Sequence, residues 1–193
     1  MTEKQKMLKG EVYNSRDPEL IEVYHKARQL MQAYNQLDSR NMEKREALLK
    51  ELLEKVEQGV WIEAPFYCDY GEHISIGKNT FVNTNCMFLD NNKITIGDNV
   101  LIGPYVQIYT AGHPLKAEKR IRHEEAGEEN ASYLTFTKPV SIGNNSWVGG
   151  NTVIMPGVRI GQNVTIGAGS VVTKDIPDDV LAFGNPCKVI RAL

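Results

Sequence analysis

An excess of charge of either sign is missing from this 193-residue sequence: 22 basic and 24 acidic residues leave a formal net charge of −2. A field that weak favours neither nucleic acid nor an anionic bilayer, so neither is an expected partner. Cysteine is scarce. Cys68, Cys86 and Cys187 are odd in number and far apart, which argues against a disulfide framework and against a zinc knuckle. They read as small buried thiols of a reduced, cytoplasmic protein. Long apolar runs are absent as well. The opening MTEKQKMLKG lacks the apolar core of a signal peptide, and no stretch approaches a membrane span. The apolar residues that are present, 41% of the chain, are enough for a core. How they are spaced divides the chain in two.

Residues 1–59 read as helical. Asp17 is an N-cap candidate and Pro18 suits the first helical position. Leu20, Val23, Tyr24, Ala27, Leu30, Met31, Tyr34 and Leu37 then recur three and four apart, forming one apolar face. A second helix is expected from about Met42 to Glu57, with Val56 inward and Gly59 closing it. Two such helices must pack on each other, on the rest of the chain or on another copy.

From Ile74 the period becomes six. Ile76, Val82, Phe88; Ile96, Ile102, Ile108; Ile142, Val148, Ile154; and Ile160, Ile166, Val172 are markers at that interval. Two positions before each sits another small or β-branched residue, and Gly follows the marker at 77, 97, 103, 143, 149, 161 and 167. Neither a helix nor a long strand has this period. A short strand plus a sharp turn does, with both apolar residues on one side. The Gly, Asn and Asp between them permit the positive φ of a tight corner. Such strands stack in parallel, one coil covering the next. With three strands to a coil, the twelve hexads make about four coils. The two interruptions, after Phe88 and after Ile108, both fall between complete triplets. The second is the long charged insert 114–139. The division expected is a helical segment 1–59, a β-helix over 60–193 carrying that insert, and a tail 176–193.

The repeat resembles the hexapeptide-repeat family, and the left hand of the β-helix is taken from that resemblance. The maltose and galactoside O-acetyltransferases of that family are the closer match. It rests on the helical pair, CDYG at 68–71, NTNCMFLD at 83–90, ITIGDNVLIGP at 94–104, YTAGHP at 109–114, IGNNSWVGG at 142–150, GAGSVVTKDIP at 167–177 and GNPCKVIR at 184–191. GAGSVV is no dinucleotide fingerprint, because the hexad register already explains its glycines. The resemblance implies acetyl transfer from acetyl-CoA to a sugar hydroxyl, no required metal, and a homotrimer with sites between subunits. An antibiotic or other non-sugar alcohol is the alternative acceptor, and a non-catalytic scaffold a third reading.

A hydroxyl attacking a thioester needs a base. Of the four histidines, His25 lies in a charged helix, His73 at the first corner and His123 in the insert. His113 follows directly after a coil, where the insert leaves the prism; by resemblance it is the catalytic base. With one histidine on the coils, a zinc-dependent hydratase of the same fold lacks its three imidazoles. The resemblance places the oxyanion-stabilising amide on Asn83, with the Gly150 N–H as a second donor. It places acceptor contacts on Asp69, Asn91 and Ser15; Asp90 is a neighbouring acidic alternative, and Asn85 reads as a corner residue. Gly150, Ala168, Thr173 and Lys174 line the acetyl-CoA groove, Lys188 and Arg191 meet its phosphates, and Trp147 forms an apolar wall. Two positions depart from the family: Ser15 stands where relatives can be acidic, and Tyr24 where they often carry Arg. The insert is longer than in the sugar enzymes and reads as a solvated loop or as a lid.

Overall fold

Asparagine turns the corners of this structure, a computed structural model that describes residues 1–122 and 130–193. Asn79, Asn99, Asn145 and Asn163 all hold φ between 54° and 58°, the left-handed region in which most side chains are strained. They stack one above another, and each amide donates to the next: Asn79 to Asn99 (3.3 Å), Asn99 to Asn145 (3.1 Å), Asn145 to Asn163 (3.0 Å) and Asn163 to Asp179 (2.8 Å). Asn85, at φ 59°, turns a second corner, its amide donating to the Thr84 hydroxyl at 3.1 Å.

The glycines after each marker do a different job from the one expected. None of them has positive φ. They are glycine because the coils touch there: a Cβ on Gly97 would stand 2.8 Å from the Asn144 backbone nitrogen, and one on Gly103 2.5 Å from that of Gly150.

Three faces result, forming a left-handed parallel β-helix. Face 1 stacks Lys55–Val56, Ile74–Ile76, Ile94–Ile96, Val140–Ile142 and Arg159–Ile160. Face 2 stacks Trp61–Ile62, Phe81–Val82, Leu101–Ile102, Trp147–Val148, Thr165–Ile166 and Val180–Phe183, with Lys188–Ala192 returning antiparallel. Face 3 stacks Phe66–Cys68, Cys86–Leu89, Gln107–Tyr109, Val153–Ile154 and Val171–Val172. Register aligns the markers into inward columns such as Ile62–Val82–Ile102–Val148–Ile166, each member no more than 1% exposed. Each such side chain contributes roughly 1.5–3 kcal/mol of burial.

The prism has about six turns rather than four. An extra coil at the foot is made by Val56, Ile62 and Cys68, which keep the six-residue register; an incomplete one at the top is made by Ile176 and Ala182. Correspondingly, the third helix is shorter than expected. It spans Met42–Leu52, and Lys55–Val56 is already strand. Gly59, at φ 77°, closes no helix; its backbone packs under Asn79.

Helix α1 is Glu3–Lys9, α2 is Pro18–Asn35 with the Asp17 carboxylate accepting from the Glu19 N–H, and α3 is Met42–Leu52. Helices α2 and α3 bury Met31, Tyr34, Leu49 and Leu52 in the same core as Ile62 and Phe66, sealing the foot. Arg45 is buried there, its guanidinium 4.4 Å from the Trp61 ring centre and bonded to the Ile62 carbonyl. Among the described residues no helix is long and apolar enough to cross a membrane.

Candidate active site

Face 3 separates two edges of the prism, and the expected site residues divide between them. Asp69, Asn91, His113, Thr173 and Lys174 follow face-3 strands and stand on the edge towards face 1. Asn83, Gly150 and Ala168 follow face-2 strands and stand on the other edge.

The first edge carries a pocket of about 300 Å³. His113, Asp69, Asn91 and Ser15 line it together. Tyr13, Leu89, Tyr109, Ala111, Tyr133 and Thr135 complete its walls and had not been singled out. Tyr109 had a signal, since it lies next to the inward marker Ile108 and so points outward beside the insert. Tyr13 and Tyr133 had none, because they sit outside any repeat. They arrive together through tertiary pairing: Tyr13 bridges Thr135, and Tyr133 bridges Ile121 across the insert. A larger recess of about 540 Å³ lies at the foot between α3 and the first coil, but the Arg45 guanidinium on its wall is engaged by Trp61 and the Ile62 carbonyl.

The insert is thus partly built into the site. Its outgoing limb carries a short helix, Ala117–Arg120, and its return limb pairs Phe136–Thr137 antiparallel with Ala111–Gly112. His123 lies outside the described residues.

His113 is exposed at the pocket mouth, its ring edge-on to Tyr133 at 5.3 Å. Its Nδ1 is 2.8 Å from the Leu134 carbonyl oxygen. A carbonyl only accepts, so Nδ1 carries the proton; in the neutral ring Nε2 then presents a lone pair.

Asp69 is held where burial raises its carboxyl above the usual range, with the Arg28 guanidinium (3.5 Å) and the Asn91 amide opposing. The Tyr13 and Tyr70 hydroxyls are pushed above their ordinary range by burial, again beside Asn91. Asp90 is not an acceptor contact. It is fully buried, and its carboxylate accepts the backbone N–H groups of Asp69 (3.0 Å), Tyr70 (2.8 Å) and His73 (3.3 Å). It shapes the turn that presents Asp69, and burial pushes its pKa up to about 7. His73 is structural: buried, bonded through Nδ1 to the Asp90 carbonyl, and held below the usual imidazole range by burial.

The remaining expected residues stand apart from this pocket. Asn83 turns its side-chain oxygen onto the Thr84 N–H at 2.7 Å. Trp147 is 54% exposed on the outer side of face 2, in register with Leu101 and Thr165. Lys188 and Arg191 are exposed on the returning strand at the top. Neither they nor Lys174 form an ion pair among the described residues. Those residues also contain no cluster of three His, Cys, Asp or Glu side chains able to hold a metal ion.

Comparison with known proteins adds independent findings. Residues 6–57 match the family model of the maltose acetyltransferase hexapeptide capping motif, and residues 139–174 match that of the bacterial transferase hexapeptide, six repeats. The chain is 42% identical over 184 residues to the galactoside O-acetyltransferase of Escherichia coli, covering 95% of this chain and 86% of that one. A solved maltose O-acetyltransferase from Clostridium difficile superposes with a TM-score of 0.89 at 45% identity, covering 100% of this chain and 98% of that one. A hexapeptide-repeat acetyltransferase from Vibrio cholerae, solved in complex with acetyl coenzyme A, gives 0.87 at 38% identity, covering 100% and 99%.

Proposed function

Because the chain belongs to the maltose and galactoside O-acetyltransferase family and is an acetyltransferase, we propose that it moves acetyl from acetyl-CoA to a hydroxyl of a sugar, with His113 as general base. The observation that carries this reading is the His113 ring itself. Its Nδ1–H is committed to the Leu134 carbonyl, which leaves Nε2 as the ring's acceptor, and the ring lines a pocket with Asp69 and Asn91. Those two side chains suit vicinal hydroxyls, one as acceptor and one as donor and acceptor. Nε2 takes the hydroxyl proton as the oxygen attacks the thioester carbonyl. The tetrahedral intermediate collapses, the C–S bond breaks, and the imidazolium returns the proton to the leaving thiolate. Acetyl-CoA comes from the family and from the Vibrio cholerae complex. Lys174, Lys188 and Arg191, which form no ion pair among the described residues, fit its phosphates.

Assembly enters because the site is divided. Asn83, Gly150 and Ala168 lie across face 3 from His113, so a second copy completes the constellation. The outward columns support this. Face 1 presents Lys55, Ser75, Thr95, Ser141 and Arg159, which are polar throughout. Face 2 presents Trp61, Phe81, Leu101, Trp147, Thr165 and Leu181, and face 3 presents Tyr67, Met87, Gln107, Val153 and Val171, each apolar but for one polar residue. Two unlike apolar faces and one polar face suit a closed ring, in which face 2 of one copy meets face 3 of the next and face 1 stays in water. The proposed state is a homotrimer, with Asn83 as the oxyanion donor supplied across the interface.

Acetyl-CoA consumption measured against maltose, glucose, galactosides, thiogalactosides and antibiotic alcohols tests the acceptor class. Turnover confined to sugars is expected. Turnover confined to antibiotics would install the second reading, which the neutral Ser15 and Tyr24 favour.

A further inference from the structure

Among the described residues, Asp69 is the one carboxylate on the walls of the pocket at His113. Its surroundings oppose its charge. Burial disfavours the ionised form, and its main-chain N–H is tied to the Asp90 carboxylate at 3.0 Å. The groups packed about it offer little relief. The Tyr13 hydroxyl, from the N-terminal segment, and the Tyr70 hydroxyl, from the same turn, are neutral, raised by burial and further by the Asp69 charge. The Cys68 thiol is raised in the same way. Asp90 is a second carboxyl, itself raised by burial and by the Asp69 charge. The Asn91 amide favours the carboxylate but brings no positive charge.

That charge comes from helix α2. The Arg28 guanidinium stands 3.5 Å from the Asp69 carboxylate, the one ion pair Asp69 makes among the described residues. Such a distance is at the long limit for a hydrogen bond, so the guanidinium acts chiefly through its charge. The Asp69 side chain is only 21% exposed, and water screens the pair less than it would a surface pair. Arg28 is itself absent from the pocket wall. It is steadied from its other side by the Tyr24 ring, whose centre lies 4.4 Å from the guanidinium. Its Nε is buried and has no hydrogen-bond partner among the described residues, so the ring and the carboxylate are what hold it.

Resting on the sugar-acceptor reading, we infer that Arg28 is a positioning residue for acceptor recognition: without touching the acceptor, it keeps Asp69 a carboxylate facing the acceptor hydroxyls, and so sets how acceptor use follows pH. A protonated Asp69 would offer those hydroxyls one fewer strong acceptor.

The test uses Arg28→Met, which removes the charge, and Arg28→Lys, which keeps it, with thermal melts to show that each variant is folded. The Asp69 carboxyl is titrated directly by NMR of protein carrying carboxyl-labelled aspartate, its signal identified by its loss in Asp69→Asn. Arg28→Met should raise the midpoint by about one pH unit, and Arg28→Lys by less. In parallel, kcat/KM for a sugar acceptor is followed across the pH range. A shift of about one unit makes Arg28→Met about tenfold poorer than wild type where Asp69 is protonated in both, and narrows that gap where it is ionised in both. Protonation of His113 lowers both enzymes alike and cancels in the ratio, and KM for acetyl-CoA should not move. A merely structural loss would be the same at every pH. A midpoint unmoved in Arg28→Met, or a loss equal at every pH, overturns the inference. If no sugar is acetylated, the sugar-acceptor reading itself fails, and the midpoint alone decides whether Arg28 holds the Asp69 charge.

Discussion

The asparagine column makes a prediction about what holds the coils in their left-handed path. Asn145 sits at φ 58° in the middle of the column, accepting from Asn99 at 3.1 Å and donating to Asn163 at 3.0 Å. Asn145→Ala removes both side-chain bonds, and because they are exposed each is worth about 0.5 kcal/mol, the low end for a protein hydrogen bond. Alanine also keeps a Cβ in the left-handed region, which costs about 1–2 kcal/mol, without the short polar side chain by which asparagine offsets that strain. The expected total is about 2–3 kcal/mol. Asn145→Gly loses the same two bonds but adopts φ 58° freely; its extra unfolded-state entropy adds several tenths of a kcal/mol, for a total of about 1–2 kcal/mol. Glycine should therefore be the milder change, although alanine is the better residue in most folded positions. The assay is denaturant unfolding of wild type and both variants at one fixed protein concentration, since assembly also contributes to stability. Alanine costing no more than glycine would refute the view that asparagine stands here for its backbone conformation.

Other expectations concern the site. His113→Ala should lower kcat by roughly 10²–10⁴-fold, with acetyl-CoA affinity by calorimetry and melting temperature little changed because the ring is exposed; a variant that keeps its turnover would require another base. Leu101→Glu places a charge in the 50%-exposed outward column of face 2, so light scattering should show monomers and acetyl transfer should be lost while circular dichroism stays β-rich. Asp90 has its folded pKa raised to about 7 by burial, so the stability it adds is full below the ordinary carboxylate range and fades as pH rises to about 7. Its neighbour His73, held below the usual imidazole range, gives the opposite slope, losing its contribution as pH falls. Asp90→Asn should flatten the fall in stability between about pH 4 and 7 and leave the His73 slope at the acid side, read from unfolding curves across that range.

What was legible in the sequence follows from which interactions are periodic. The prism repeats one local solution, so Ile96, Ile102 and Ile108 announce a coil wherever they stand. The coil at the foot was hidden by a competing pattern. Val56, Ile62 and Cys68 keep the six-residue step, but Leu48, Leu49, Leu52, Leu53 and Val56 also satisfy a helical face. The helix ends at Leu52 because the backbone at Leu53 turns extended, with φ −100° and ψ 150°. The coil at the top was hidden by a shortened interval: Ile160 pairs with Ile176 and Ile166 with Ala182, sixteen residues on instead of eighteen. The pocket at His113 was legible only in part. His113 was reached from its place at a coil edge, Asp69 and Asn91 were placed by resemblance, and Tyr109 hangs from a coil edge without having been singled out. Ser15 was found only by resemblance, and Tyr13, Tyr133 and Thr135 not at all, because they reach the pocket through pairing between the N-terminal segment and the insert, 122 residues apart at the Tyr13–Thr135 bridge. No local spacing encodes a contact of that range. The same pairing brings Ser15 to the pocket, so the part of the protein least readable from its repeat supplies Tyr13, Ser15, Tyr133 and Thr135 to its walls.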